Sequence, residues 1–198
     1  MSRYLVLAVI GSVAVGCGDR PAEPTDPLTV PAFRHGSAAS ANANGANFGT
    51  PLSSDEEVPP NASRAVGNAI FQLNAGGTEL SYKLIVANIE NAFMAHIHSG
   101  PAGANGPIVV WLYPSTTPGE TEPFGGGRIQ GVIAKGTIVE GDLVGPLAGG
   151  ELSDLIELIE SGGAYVNVHT NDGVGDPNTG PGDFPGGEIR GQVEHRGH

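Results

Sequence analysis

From about Phe48 the chain runs in short stretches of alternating apolar and polar residues, punctuated by glycine-rich turns. Val66, Ala69, Phe71 and Leu73 lie in one such stretch, and Asn74-Ala75-Gly76-Gly77 follows it. Leu80, Tyr82, Leu84 and Val86 then interleave with Ser81, Lys83 and Ile85. Two alternating runs about a Gly-Gly turn predict a β-hairpin. Further strands are predicted over 92–98, 107–113, 127–140, Ala164–Thr170 and 187–194. Such a series predicts an all-β domain, a Greek-key β-sandwich or barrel of about seven to nine strands. One short helix is predicted where Leu152, Leu155, Ile156 and Ile159 fall at helical spacing, with Ser153 as N-cap and Gly162 as its stop. Its expected place is over an edge or end of the sheet.

The pattern before Phe48 is different. Arg3 precedes an apolar run over 4–15, which is too short to span a bilayer. The run ends Ala14-Val15-Gly16-Cys17, which resembles the bacterial lipobox, with Ala14 where leucine is usual. Residues 1–17 therefore read as a lipoprotein-type signal peptide with Cys17 the lipidated residue. The alternative is an ordinary signal peptide cleaved nearby. By the same resemblance, Gly18 after the cysteine carries no inner-membrane retention signal of the enterobacterial kind. Residues 18–46 hold Pro21, Pro24, Pro27 and Pro31, then an Ala/Ser/Asn/Gly stretch without apolar period, and read as a disordered tether. Residues 47–195 form the domain. The expected location is outside the cytoplasm, anchored by lipid to a bacterial membrane, facing the periplasm or the cell surface.

Charge narrows the partners. A net charge of -12 with 9 Lys+Arg and no basic cluster argues against nucleic acid. Cys17 is the one cysteine, so the domain has neither a disulfide framework nor a thiolate metal cluster. No Ser-His-Asp order, phosphate loop or paired-carboxylate cleft stands out, and the chain reads as a non-enzyme. Trp111, within Ile108-Val109-Val110-Trp111-Leu112, is expected in the core.

Five blocks in order bring a resemblance into view: Glu57-Val58-Pro59-Pro60; Gly77-Thr78-Glu79-Leu80-Ser81-Tyr82; Ala95-His96-Ile97-His98 through Asn105-Gly106-Pro107; Tyr165 to Thr170; and Pro185 to Gln192. Over about Phe48–Val193 the chain resembles the CHRD (chordin-domain) family. The resemblance implies an extracytoplasmic module. Growth-factor binding, known for chordin, does not carry over, because chordin's cysteine-rich partner modules have no counterpart here. The family's short connection before Pro185 is replaced by a longer loop over 171–184, rich in Gly and Asp.

Strand alternation also gathers candidate chemistry. Residues i and i+2 share a face, so His96 and His98 point away from Ala95 and Ile97, which face the core. Tyr165, Asn167 and His169 likewise oppose Val166 and Val168. In the last strand Glu188, Arg190 and Gln192 oppose Ile189 and Val193. Pairing of 164–170 with 187–194 would set His169 near Glu188. Imidazoles are the commonest transition-metal ligands, so His96, His98 and His169 form a candidate site for one copper or zinc ion, with Glu188, Arg190 and Asn167 around it. The alternative is structural: histidines on a polar face bonded to carboxylates and loop carbonyls, and Glu188 with Arg190 as an exposed ion pair. The His-x-His pattern also resembles the copper strand of Cu/Zn superoxide dismutases, but the histidines here are too few for a binuclear centre. In the 171–184 loop, Asp172, Asp176 and Asp183 are a weaker candidate calcium site, on a spacing that is not an EF-hand. The leading expectation is a non-enzymatic binding or structural module of unknown ligand. A mononuclear metal-binding protein is the second.

Overall fold

The computed structural model describes residues 45–196. The expectations for Cys17, for the signal peptide and for nearly all of the tether lie outside them. The predicted alternation becomes nine strands: β1 (Asn47–Ser53), β2 (Val66–Leu73), β3 (Leu80–Glu90), β4 (Ala92–Ser99), β5 (Ile108–Tyr113), β6 (Arg128–Ile138), β7 (Ala164–Thr170), β8 (Ile189–Gln192) and β9 (Glu194–His195). All pairings are antiparallel, in the order β5-β4-β7-β8-β1-β2-β3-β6, with β9 also on β1. The sheet curls into a nearly closed barrel, and the Tyr82 hydroxyl of β3 donates to the Leu112 carbonyl of β5 at 2.7 Å across the seam. Among the described residues there is one α-helix, α1 (Leu152–Glu160).

The β2–β3 hairpin forms as predicted. Its turn is held by the Asn74 side-chain oxygen, which accepts from the Thr78 and Glu79 amides. The core fills from one side of each strand: Phe48, Phe71, Leu80, Leu84, Ala95, Ile97, Val166, Val168, Ile189 and Val193 are all buried in it. Helix α1 adds Leu152, Leu155, Ile156 and Ile159. Its N-cap is Glu151, not Ser153, because Asp154 reaches back to accept from the Glu151 amide at 2.9 Å. Gly162 stops it as expected, at φ +71° just past the C-cap. No helix among the described residues is long and apolar enough to cross a membrane.

Strand β1 was not foreseen, because Gly49 and Pro51 break its pattern and a proline speaks against an inner strand. It pairs with β2 along its whole length but with the C-terminal strands only at its ends, Ser53 with Arg190 and Gly49 with Glu194. In that register Pro51, which has no N–H to give, stands opposite Gln192. The predicted strand over 187–194 accordingly breaks into β8 and β9 around Val193.

Candidate metal centre

One row of paired residues crosses the sheet on the side away from the core. Trp111 of β5 pairs with His96 of β4, His96 with Asn167 of β7, and Asn167 with Arg190 of β8. His98 pairs with Tyr165 in the row on one side, and Met94 with His169 in the row on the other. Alternation therefore places all three histidines together, as the sequence predicts. It does not leave them on an exposed polar face. His96 is 0%, His98 8% and His169 6% exposed, because three segments roof this layer.

Each segment is tied down by polar bonds. From the first, Asn61 donates to the Glu188 carbonyl at 3.0 Å. The second, 100–106, receives the Arg190 guanidinium on the Asn105 side chain and on the Pro101 and Ala104 carbonyls. Asn105 in turn donates to the Val58 carbonyl of the first segment at 2.7 Å. The third, leading into β8, is anchored by Glu188. Its carboxylate accepts from the Ser63 hydroxyl, from the Thr170 hydroxyl at 2.6 Å and from the Gly182 amide at 3.0 Å.

One ring nitrogen from each of His96, His98 and His169 lies within 4.8 Å of the others. Among the described residues this is the one group of three or more His, Cys, Asp or Glu residues placed to hold an ion. His98 Nδ1 contacts the Gly106 carbonyl at 2.9 Å, and His169 Nδ1 the Pro185 carbonyl at 2.9 Å. Carbonyls only accept, so both Nδ1 atoms carry the proton, and in the neutral rings both Nε2 atoms keep a lone pair. Carbonyls that accept from the other ring nitrogen orient metal-binding imidazoles in the same way. His96 Nδ1 sits 3.1 Å from His169 Nε2. That spacing suits a hydrogen bond, and it also suits two nitrogens about 2.0–2.1 Å from a shared ion.

The rings are held neutral. Burial, aided by the neighbouring His169 and His98, pushes His96 down to about 2. Burial likewise brings His169 to about 4, against the opposing pull of the Pro185 carbonyl and with a further push from His98. His98 is also lowered, mainly by burial; the Gly106 bond opposes this and the Arg190 charge adds to it. Neutral imidazole is the form that binds metal. Four buried atoms of this layer have no hydrogen-bond partner: His96 Nε2, His98 Nε2, Asn167 Oδ1 and Glu57 Oε1. His98 Nε2 and Asn167 Oδ1 are acceptors, and so is His96 Nε2 when its Nδ1 donates to His169; such acceptors are satisfied by a cation or by a donor held among them.

Several expectations need correction. Glu188 does not reach His169: its carboxylate is spent on Ser63, Thr170 and Gly182. Nor do Glu188 and Arg190 make an exposed ion pair, since both are buried and bonded elsewhere. Arg190 lies over the Tyr165 ring at 3.4 Å, and Tyr165 stacks on His98 at 4.9 Å. Trp111 is absent from the core cluster. Register shifts between β4 and β5 turn it to the histidine side, half-buried, with its ring 4.2 Å from that of His96. The loop aspartates do not converge. Asp183 is buried and accepts from the Thr179 amide and hydroxyl, Asp172 accepts from the Val174 amide, and Asp176 is exposed. Glu57 was missed. It is 5% exposed, and burial, set against the Arg190 charge and the Val58 amide, raises it from 4.5 to about 7.

The sequence model of the CHRD domain matches residues 48–177, and the chain belongs to the CHRD domain family. The matched stretch holds all three histidines, Trp111 and Glu57, and ends inside the 171–184 loop, before Glu188 and Arg190. Neither the curated proteins nor the solved structures contain a match to the chain.

Proposed function

We propose that this CHRD-domain protein is a non-enzymatic, exported, lipid-anchored module that binds one transition-metal ion, copper or zinc, through His96, His98 and His169. The observation that carries the reading is the buried triad itself. Three neutral imidazoles lie within one ion's reach, and two are aimed by backbone carbonyls that fix their free nitrogens. A purely structural role fits less well. A histidine kept to bond a carbonyl needs one nitrogen, whereas His98 buries a second with no partner, and His96 bonds no carbonyl at all and leaves its Nε2 unpartnered. Lipidation at Cys17 and a tether over 18–46 would hold the domain off the membrane.

The test is metal content. Protein purified without a histidine tag and loaded with copper or zinc should retain one ion per chain after desalting. His96→Ala and His169→Ala should retain none while keeping the β-sheet circular dichroism. A wild-type protein that retains no ion would refute the reading. For the anchor, palmitate labelling should vanish in Cys17→Ser, and persistence would refute that part.

A further inference from the structure

Resting on the metal-binding reading, we infer that the ion is copper in its monovalent state, with the Met94 thioether as an additional soft donor and the Trp111 indole closing the site. Three independent features point the same way. The donors are uncharged: within the described residues the group is histidine alone, with no carboxylate among them. Glu57 lies beside Asn167 near Gly187, since a Cβ added at Gly187 would meet Glu57 Oε1 at 2.5 Å and Asn167 Nδ2 at 2.8 Å. Among the described residues it is not one of the group placed to share an ion. Desolvation cost grows with the square of the charge, so a divalent ion costs about four times as much to bury as a monovalent one when no anionic ligand offsets it.

The second feature is Met94. It pairs with His169 across β4 and β7, two residues before His96, and so shares the histidine face. Directly opposed side chains in a sheet sit with Cβ atoms roughly 4.5–5.5 Å apart, within a thioether's reach of a common ion. Met94 is outside the core cluster and only half-buried. An uncharged thioether is a soft donor, the kind that suits monovalent copper. The third feature is Trp111, whose ring forms a T-shaped pair with that of His96, centroids 4.2 Å apart. Beside one of the donors, the indole shields that side of the ion from water. That suits copper(I), which takes three or four soft or neutral donors, better than zinc, which with three histidines keeps a water in its fourth position.

The test uses the full chain, untagged and kept anaerobic. Copper(I) is titrated against a chromophoric copper(I) chelator and zinc against a chromophoric zinc chelator. Because Trp111 is the chain's one tryptophan, its emission reports on this site alone. The expected result is one copper(I) per chain, bound at least about a hundredfold more tightly than zinc, with emission quenched at one equivalent. Met94→Leu should weaken copper(I) by about tenfold and leave zinc unchanged. X-ray absorption at the copper edge of the wild-type protein should show a sulfur neighbour beside the nitrogens, a readout that does not depend on any variant folding. Zinc bound as tightly as copper(I), or a copper spectrum without sulfur, would overturn the inference while leaving a histidine metal site standing. Failure of the wild type to hold either metal would overturn both.

Discussion

Buried in one layer, Glu57 and the histidines respond to pH in opposite senses. Glu57 moves from 4.5 to about 7 on folding, so the unfolded chain gives up this proton first. The folded state is therefore favoured below pH 4.5 and loses that advantage as pH rises toward 7. The interval corresponds to roughly 3 kcal/mol. Glu57→Gln keeps the shape and removes the charge. It should match the wild type near pH 4 and exceed it by up to about 3 kcal/mol at pH 8 in urea unfolding. The imidazoles run the other way. His169 falls from 6.5 to about 4, so in chelated protein its contribution is whole above 6.5 and drains as pH falls toward 4. Glu188 is a different kind of residue, a fastener. Glu188→Ala would strand the Ser63 and Thr170 hydroxyls and the Gly182 amide, and should cost about 3 kcal/mol in thermal unfolding.

Among the elements, β1 and β8 touch most closely where Gly191 passes Pro51. A Cβ at position 191 would lie 2.0 Å from the Pro51 carbonyl oxygen and 2.4 Å from Thr50 Oγ1. Both belong to a strand that cannot retreat without leaving β2. Gly191→Ala should destabilise the domain by about 3 kcal/mol, read as a shift in urea midpoint. The strands were legible wherever alternation was clean: β2, β3, β4 and β7 sit within a few residues of their expected places, and Ala95, Ile97, Val166 and Val168 face the core as predicted. Legibility failed where local chemistry contradicts the element. Pro51 hid β1, and the shifts between β4 and β5 reversed the face expected for Trp111. Met94 was readable in principle, since it precedes His96 by two on the same strand.

At the scale of the whole molecule, the roof makes the centre, and it depends on contacts that sequence does not display. Asn61 and Glu188 meet across 127 positions, and Arg190 and Ala104 across 86. The triad's shared face was therefore predictable, but its burial was not, nor was the turning of Glu188 away from His169. Four of the five blocks that carry the CHRD resemblance supply this one layer: Glu57, the His96–Gly106 stretch, Tyr165 to His169, and Arg190. An ion that binds only the folded form stabilises it by mass action, by about 4 kcal/mol at a thousandfold excess over Kd. Copper or zinc should thus raise the melting temperature, chelator should reverse the rise, and His169→Ala should show neither effect.

The pairing of β9 with β1 also makes neighbours of the two ends of the domain: the Arg196 amide donates to the Asn47 carbonyl at 2.8 Å. The opening strand of this barrel is closed by the last one, so the contact between them spans nearly the whole length of the domain. A circular permutant that joins 196 to 45 through a short Gly/Ser linker and starts anew at the exposed Gly119 turns that long-range contact into a local one and should fold faster. Stopped-flow refolding of the two arrangements would register the difference as a faster folding phase, with the final spectrum unchanged.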